Sequence, residues 1–219
     1  MVEAPGVVSL YLTGRDLDQL AVRSGQYFVV RLLTRDAWWR GHPFSISAAP
    51  NGAWLRFTVK DLGDDSRRMA AIPVGTRIYL EGPYGVLTGL RRTRRRVAFI
   101  AGGIGITPLR ALLEDLPAGP GDLALIYRAA RTQDLVFRAE LDALVAERGA
   151  DIHYLVGHRG TAELPAEPLG ARSILRLIPD IKERDVFLCG PDGLMDTVER
   201  SLRSIGLPGA HIHAERFTY

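Results

Sequence analysis

Residues 96–110 constrain this chain more than any other stretch: Arg-Val-Ala-Phe-Ile-Ala-Gly-Gly-Ile-Gly-Ile-Thr-Pro-Leu-Arg. The run 97–101 is apolar or small throughout and reads as a strand of a parallel sheet buried on both faces. Gly102, Gly103 and Gly105 follow, then Thr107 and Pro108, which read as a helix cap and a first helical position. Strand, glycine turn and helix start together make an anion cradle. Glycine lets the backbone approach a pyrophosphate, and the free N–H groups of the first helical turn face it. The spacing is not that of the G-x-G-x-x-G fingerprint, so by itself it fits a nucleotide site or a tight strand-to-helix turn equally well.

On either side of this stretch the hydrophobic period differs. Before residue 90 the chain offers short β-branched or aromatic segments at 7–12, 27–32, 44–47, 54–60 and 77–80, separated by turns such as Pro50-Asn51-Gly52. That pattern predicts a small antiparallel barrel or sandwich, with one short helix at about 65–71. After residue 95, strands expected at 97–101, 123–127, 152–156, 185–189 and 211–217 alternate with helices at 108–116, 134–147 and 193–205. Such alternation predicts a doubly wound parallel sheet whose ligand lies beyond the carboxyl ends of its strands, where the glycine loop is.

Composition narrows the classes. The 219 residues are 47% hydrophobic and 24% charged, which is ordinary for a globular chain of one large or two smaller domains. A net charge of +3 does not argue for nucleic acid, and Lys60 and Lys182 are the only lysines among the basic residues. Arg91, Arg92, Arg94, Arg95 and Arg96 form one cluster, readable as a solvated linker or as a face for an acidic partner or anionic membrane. Cys189 stands alone, so no intrachain disulfide, thiolate zinc site or plant-type iron–sulfur cluster can be assembled. The histidines show no metal-ligand spacing. The apolar run 97–109 contains three glycines and falls short of the roughly 20 residues a membrane span needs. Glu3, Pro5 and Gly6 interrupt any signal-peptide reading.

Four motifs in order then carry a resemblance. They are His42-Pro43-Phe44-Ser45; Val59-Lys60-Asp61-Leu62-Gly63-Asp64-Asp65-Ser66; the glycine loop; and Cys189-Gly190-Pro191 with Glu215-Arg216-Phe217. Gly82-Pro83-Tyr84-Gly85 stands between the second and third. Taken together they resemble the ferredoxin–NADP reductase superfamily of flavoproteins, over nearly the whole chain. The resemblance implies an N-terminal antiparallel β-barrel that binds FAD, residues 1–92, and a doubly wound NAD(P)-binding α/β domain, residues 93–219. His42 and Phe44 replace the arginine and tyrosine of the family's Arg-x-Tyr-Ser stretch. His-Pro-Phe-Ser is similar to the variant in membrane ferric reductases and NADPH oxidases.

By that resemblance His42 meets the FAD pyrophosphate, Pro43 and Phe44 lie along the isoalloxazine, and Ser45 reaches flavin N5. Val59, Lys60, Gly63 and Ser66 form the turn that holds the FAD pyrophosphate. Gly102, Gly103, Gly105, Thr107 and Pro108 hold the nicotinamide nucleotide, with Thr107 near its ring. Cys189, Gly190 and Pro191 line the nicotinamide pocket with Glu215, and Phe217 shields the flavin. NADPH is favoured over NADH because Arg128, Arg131 and Arg159 follow the second and third sheet strands, where a ribose phosphate would need arginine. No metal is expected. The implied reaction moves hydride from NAD(P)H to FAD N5 and then single electrons to haem, ferric iron or another acceptor. The implied partner is a haem-bearing transmembrane domain, a ferric chelate or a small redox protein. That reading puts the chain in the cytoplasm, on the cytosolic side of a membrane protein if it is an excised domain. A stand-alone ferredoxin or flavodoxin reductase and a non-catalytic nucleotide sensor are the alternatives.

Overall fold

The computed structural model describes residues 1–35, 37–161 and 164–216. In the first half, β1 (Val2–Ala4), β2 (Val7–Leu12) and β5 (Leu55–Lys60) form one antiparallel sheet. A second sheet contains β4 (His42–Ser45), β3 (Tyr27–Leu32) and β6 (Ile78–Tyr84). An Ile46–Phe57 bridge joins the two sheets, and α1 (Asp64–Ala70) packs on β5 and β2. Alternation fixes which side chains point inward: Phe28, Val30 and Leu32 on β3 are buried while Tyr27, Val29 and Arg31 between them are partly exposed. Phe28 meets Phe57 edge to face, with ring centroids 5.9 Å apart. The antiparallel barrel is therefore present. The sequence reading missed β1, and β6 runs four residues beyond the expected 77–80, through Tyr84.

The second half holds β7 (Arg96–Gly102), β8 (Leu123–Ala129), β9 (Asp151–Val156), β10 (Arg184–Cys189) and β11 (Ile212–Glu215), all parallel. Their order is β11-β10-β7-β8-β9, so the chain reverses direction across the sheet between β7 and β10. That reversal is the doubly wound arrangement, and it opens a crevice at the carboxyl ends of β7 and β10. Val97, Ala98, Phe99, Ile100 and Ala101 are all fully buried, which explains the unbroken apolar run. Helices α2 (Ile106–Asp115), α3 (Arg138–Arg148), α4 (Ala171–Leu177) and α5 (Asp192–Ile205) cover the sheet. Gly206 ends α5 with φ 90°, as a left-handed C-cap should.

Two boundaries differ from expectation. α2 begins at Ile106 rather than at a Thr107 cap, because Gly103 (φ 54°) turns the chain straight from the strand into a 3₁₀ turn. Thr107 instead donates its hydroxyl back to the Ile104 carbonyl at 3.0 Å. α3 starts four residues late, at Arg138, since Leu135, Val136 and Phe137 are drawn into the core and Phe137 adopts a left-handed conformation. The apolar period continues through these residues, but burial overrides the helix.

α2 is buried on nearly every side. Leu109, Leu112 and Leu113 enter the core of the parallel sheet, while Ala111 packs with Phe28, Val59 and Met69 inside the barrel. Each such leucine contributes on the order of 1.5–3 kcal/mol by leaving water. Across this helix the two halves share one seam.

The arginines of the connector face solvent, with Arg91, Arg95 and Arg96 exposed and Arg92 and Arg94 half-buried, yet most of them are tied down. Arg95 pairs with Asp122 (3.0 Å) and Arg96 with Asp180 (2.9 Å) and Glu183 (3.3 Å). Arg92 donates to the carbonyls of Arg94, Arg95 and Pro117, and Arg94 to those of Lys182 and Arg184. They tie the connector to the lower edge of the sheet.

Candidate functional site

The glycine loop and the end of β10 meet backbone to backbone. A Cβ on Gly105 would lie 2.4 Å from the Cys189 carbonyl oxygen, and one on Gly190 would lie 3.1 Å from Gly102 Cα. Only glycine fits at position 105, and at 190 a side chain would press on the Gly102 backbone. Tyr127 on β8 then fixes the loop: its hydroxyl donates to the Gly103 carbonyl at 3.0 Å and accepts the Val136 N–H at 3.1 Å. Burial pushes the Tyr127 phenol far up, so it remains a donor at any ordinary pH. The sequence reading missed Tyr127, and a tyrosine ending an apolar strand beside a glycine loop was the available signal.

From this junction contact runs into the barrel. Glu215 stands opposite Cys189 in the register of β10 and β11. Its Oε1 lies 2.8 Å from where a Cβ on Gly85 would be, and Tyr27 Cδ1 is 3.1 Å from that point. Tyr27 is in turn the strand partner of Ser45. Ser45, Tyr27, Gly85, Glu215, Cys189 and Gly105 thus form one continuous line across the seam. On this line Ser45 Oγ and Glu215 Oε2 are buried polar atoms without hydrogen-bond partners among the described residues. Such atoms are uncommon in folded proteins and leave hydrogen-bonding capacity open at the seam. Burial raises the Glu215 carboxyl to about 7 and also pushes the Cys189 thiol well up. Cys189 is fully buried and non-nucleophilic at neutral pH.

Beside the line lies a cleft of about 490 Å³, lined by Gly102, Gly103, Ile104, Pro191, Arg128 and Arg159 from the sheet and by Pro5 and Lys60 from the barrel. Arg128 donates to the carbonyls of Leu155 (3.0 Å), Gly157 (2.5 Å) and Ala129. Burial, and then the neighbouring Arg159 charge, lower its pKa. A spot where two cations crowd one another favours an anion. Arg131 stands apart, bound to Asp134 through two bonds of 3.0 and 2.9 Å.

The remaining expected residues fall as follows. His42 and Phe44 are half-buried, Pro43 exposed, and the His42 and Phe44 rings lie 6.4 Å apart. Val59 points into the barrel core, so only its backbone is available to a ligand. Ser66 is third in α1; its hydroxyl accepts from Leu62 N–H (2.8 Å) and donates to the Gly63 carbonyl (2.9 Å). Thr107 and Pro108 are buried beneath the glycine loop. Phe217 lies outside the described residues. Its neighbour Arg216 is held on α5 by Asp196 (2.7 Å) and Glu199 (2.9 Å). His211 and His213 both approach the buried Asp185, at 2.8 and 3.5 Å, in a structural cluster at the opposite end of the sheet. Among the described residues no helix is long and apolar enough to cross a membrane.

Two folded halves, with a glycine cradle and a polar seam between them, define a nucleotide-binding oxidoreductase architecture. Comparison with known proteins agrees. The oxidoreductase NAD-binding domain family matches residues 99–200. A ferredoxin–NADP reductase B of Sorangium cellulosum is 30% identical over 191 residues, covering 80% of this chain and 77% of its own length. The glycine betaine monooxygenase reductase subunit of Chromohalobacter salexigens is 29% identical over 188 residues, 80% of this chain and 50% of that subunit. The flavohaem-like FAD/NAD-binding domain of nitric oxide dioxygenase from Vibrio cholerae superposes with a TM-score of 0.75 at 24% identity, covering 99% of this chain and 94% of that one. This chain belongs to the ferredoxin–NADP reductase-like superfamily of oxidoreductases. It spans about half the length of the curated relatives it matches first.

Proposed function

We propose that this chain is an FAD-dependent NAD(P)H oxidoreductase module, divided at about residues 92 and 93 into a flavin-binding barrel and a nucleotide-binding sheet. FAD, when bound, accepts hydride from a reduced nicotinamide and releases electrons singly to an acceptor. The observation that carries the reading is a pair of buried polar atoms without partners among the described residues, Ser45 Oγ and Glu215 Oε2, on one contact line that crosses between the halves. A flat heterocycle with polar edges satisfies both. Ser45 would meet the polar edge of the flavin, Phe44 with Pro43 would back the ring, and His42 would meet the pyrophosphate. Lys60, Val59 backbone, Gly63 and the start of α1 would hold its phosphates. Gly102, Gly103 and Gly105 would cradle the nicotinamide nucleotide, with Thr107 and Pro108 supporting the loop from below and Gly190 and Pro191 closing the pocket. Cys189 and Glu215 would exclude water from the nicotinamide, and Phe217 would cover the flavin in its absence.

Arg128 and Arg159 favour NADPH, because the crowded cations suit a ribose phosphate. Arg131, already paired with Asp134, contributes less. The His42-Pro43-Phe44-Ser45 stretch supports an acceptor of the haem or ferric kind on the cytosolic face of a membrane. A stand-alone reductase for a small redox protein is the second reading, favoured by the 77% coverage of the Sorangium enzyme. Purified protein is expected to take up FAD and turn yellow, and NADPH to bleach it under anaerobic conditions. A protein that binds nucleotide yet never reduces FAD would be a sensor instead.

A further inference from the structure

The seam contains a charge-balanced cluster of two buried arginines and two half-buried glutamates that the proposed chemistry leaves unused. Arg56 on β5 and Arg110 on α2 are each only 4% exposed, so neither guanidinium is solvated by bulk water. Between them lies Glu140 of α3. It receives Arg56 Nη1 at 3.0 Å and Nη2 at 3.1 Å, a two-pronged pair, and it also pairs with Arg110. Arg110 pairs in addition with Glu114, one turn along α2, and Glu114 Oε2 accepts the Ala49 N–H of the barrel at 2.5 Å. Arg56 further donates from Nε to Ser47 Oγ at 3.1 Å and from Nη2 to the Ser47 carbonyl, and its guanidinium covers the Phe137 ring at 4.5 Å.

What the cluster connects matters more than its strength. Ser47 follows the end of β4 two residues after Ser45, and Arg110 sits on the helix that leaves the glycine loop at Gly105. One carboxylate therefore ties the strand bearing Ser45 to the helix bearing the glycine cradle. Ion pairs partly withdrawn from water in this way add little net stability over apolar residues, but their directional bonds admit few alternative arrangements. We propose that Glu140 and Arg56 are positioning residues that set the separation and tilt of the two half-sites, so that the paired rings meet at transfer distance. The inference rests on the oxidoreductase reading for its consequence but not for its geometry. An offset of about 1 Å between reacting groups costs on the order of 100-fold in rate.

The test uses the whole chain carrying Val74→Cys and Arg200→Cys, exposed positions on the barrel and on α5, with spin labels attached. Cys189 is buried and stays in place. The Glu140→Gln variant is expected to broaden the distance distribution between the labels and slow NADPH-dependent flavin reduction roughly 10- to 100-fold, with FAD affinity and the KM for NADPH little changed. Glu140→Asp is expected to recover part of both effects. A change in rate without a change in distances, a change in distances without one in rate, or no change in either overturns the proposal. Should Glu140→Gln fail to fold, Arg56→Met with Glu140→Leu restores an apolar, charge-balanced seam, and wild-type transfer by that folded variant overturns the proposal too. If the parent chain reduces no flavin, the oxidoreductase reading fails, and the label distances alone decide whether Glu140 holds the halves.

Discussion

Glu215 and Gly85 meet across the seam, with the glutamate Oε1 lying 2.8 Å from the only place a Cβ on Gly85 could occupy. Held there, the carboxyl is largely withdrawn from water, and burial raises its pKa from 4.5 to about 7. The folded state therefore keeps a proton that the unfolded chain releases, so this contribution to stability is full below pH 4.5 and is lost as pH rises through about 7. Calorimetry of the apoprotein is expected to show stability falling by roughly 1–3 kcal/mol between pH 5 and pH 8 from this group. The Glu215→Gln variant should lack that component. An identical slope in both proteins would remove the assigned role of burial.

Ser45 separates binding from folding. Its buried hydroxyl has no partner among the described residues, so Ser45→Ala removes an unsatisfied polar atom at little structural cost. The apoprotein should melt within about 0.5 kcal/mol of the parent, or above it. Flavin reduction by NADPH should nonetheless slow at least ten-fold, as when one positioned hydrogen bond to a reacting group is lost. Stopped-flow absorbance on the two holoproteins decides; equal rates would detach Ser45 from the chemistry.

Gly105 tests the junction of the two loops. An alanine there would drive its methyl to 2.4 Å from the Cys189 carbonyl, so Gly105→Ala should cost on the order of 2–4 kcal/mol or prevent folding. Gly209→Ala is the control, since nothing lies within 4 Å of its Cβ position. Urea titrations should place that variant within about 0.5 kcal/mol of the parent.

Nucleotide choice should depend on Arg159 more than on Arg131. A charge-assisted bond to phosphate is worth about 1.5–3 kcal/mol, so Arg159→Ala should cut the NADPH-to-NADH ratio of kcat/KM by roughly 10- to 100-fold. Arg131, engaged with Asp134, should change the ratio far less. If the parent chain uses NADH and NADPH equally well, the assignment of a phosphate to this corner is wrong.

Much of this was legible in residue order. The change of hydrophobic period near residue 95, the buried 97–101 strand and the motif order gave two halves and the crevice between them. Local signals erred where tertiary contacts competed with them. Thr107 looked like a cap until Gly103 turned the chain early, and the α3 pattern ran on through residues the core had claimed. Tyr127 left only the signal of a tyrosine in an apolar strand beside a glycine loop, and Glu140 left none, because a glutamate on a helix face is unremarkable until one knows what lies opposite.

Apolar periodicity and glycine placement are properties of neighbours along the chain, so they settled the elements, their type and the cradle after β7. Which charges face each other across 84 residues, as Arg56 and Glu140 do, depends on how the finished halves dock. So do the burial that raises Glu215 and the isolation of the Ser45 hydroxyl, since solvent exclusion is a property of the assembled seam and not of any segment that forms it.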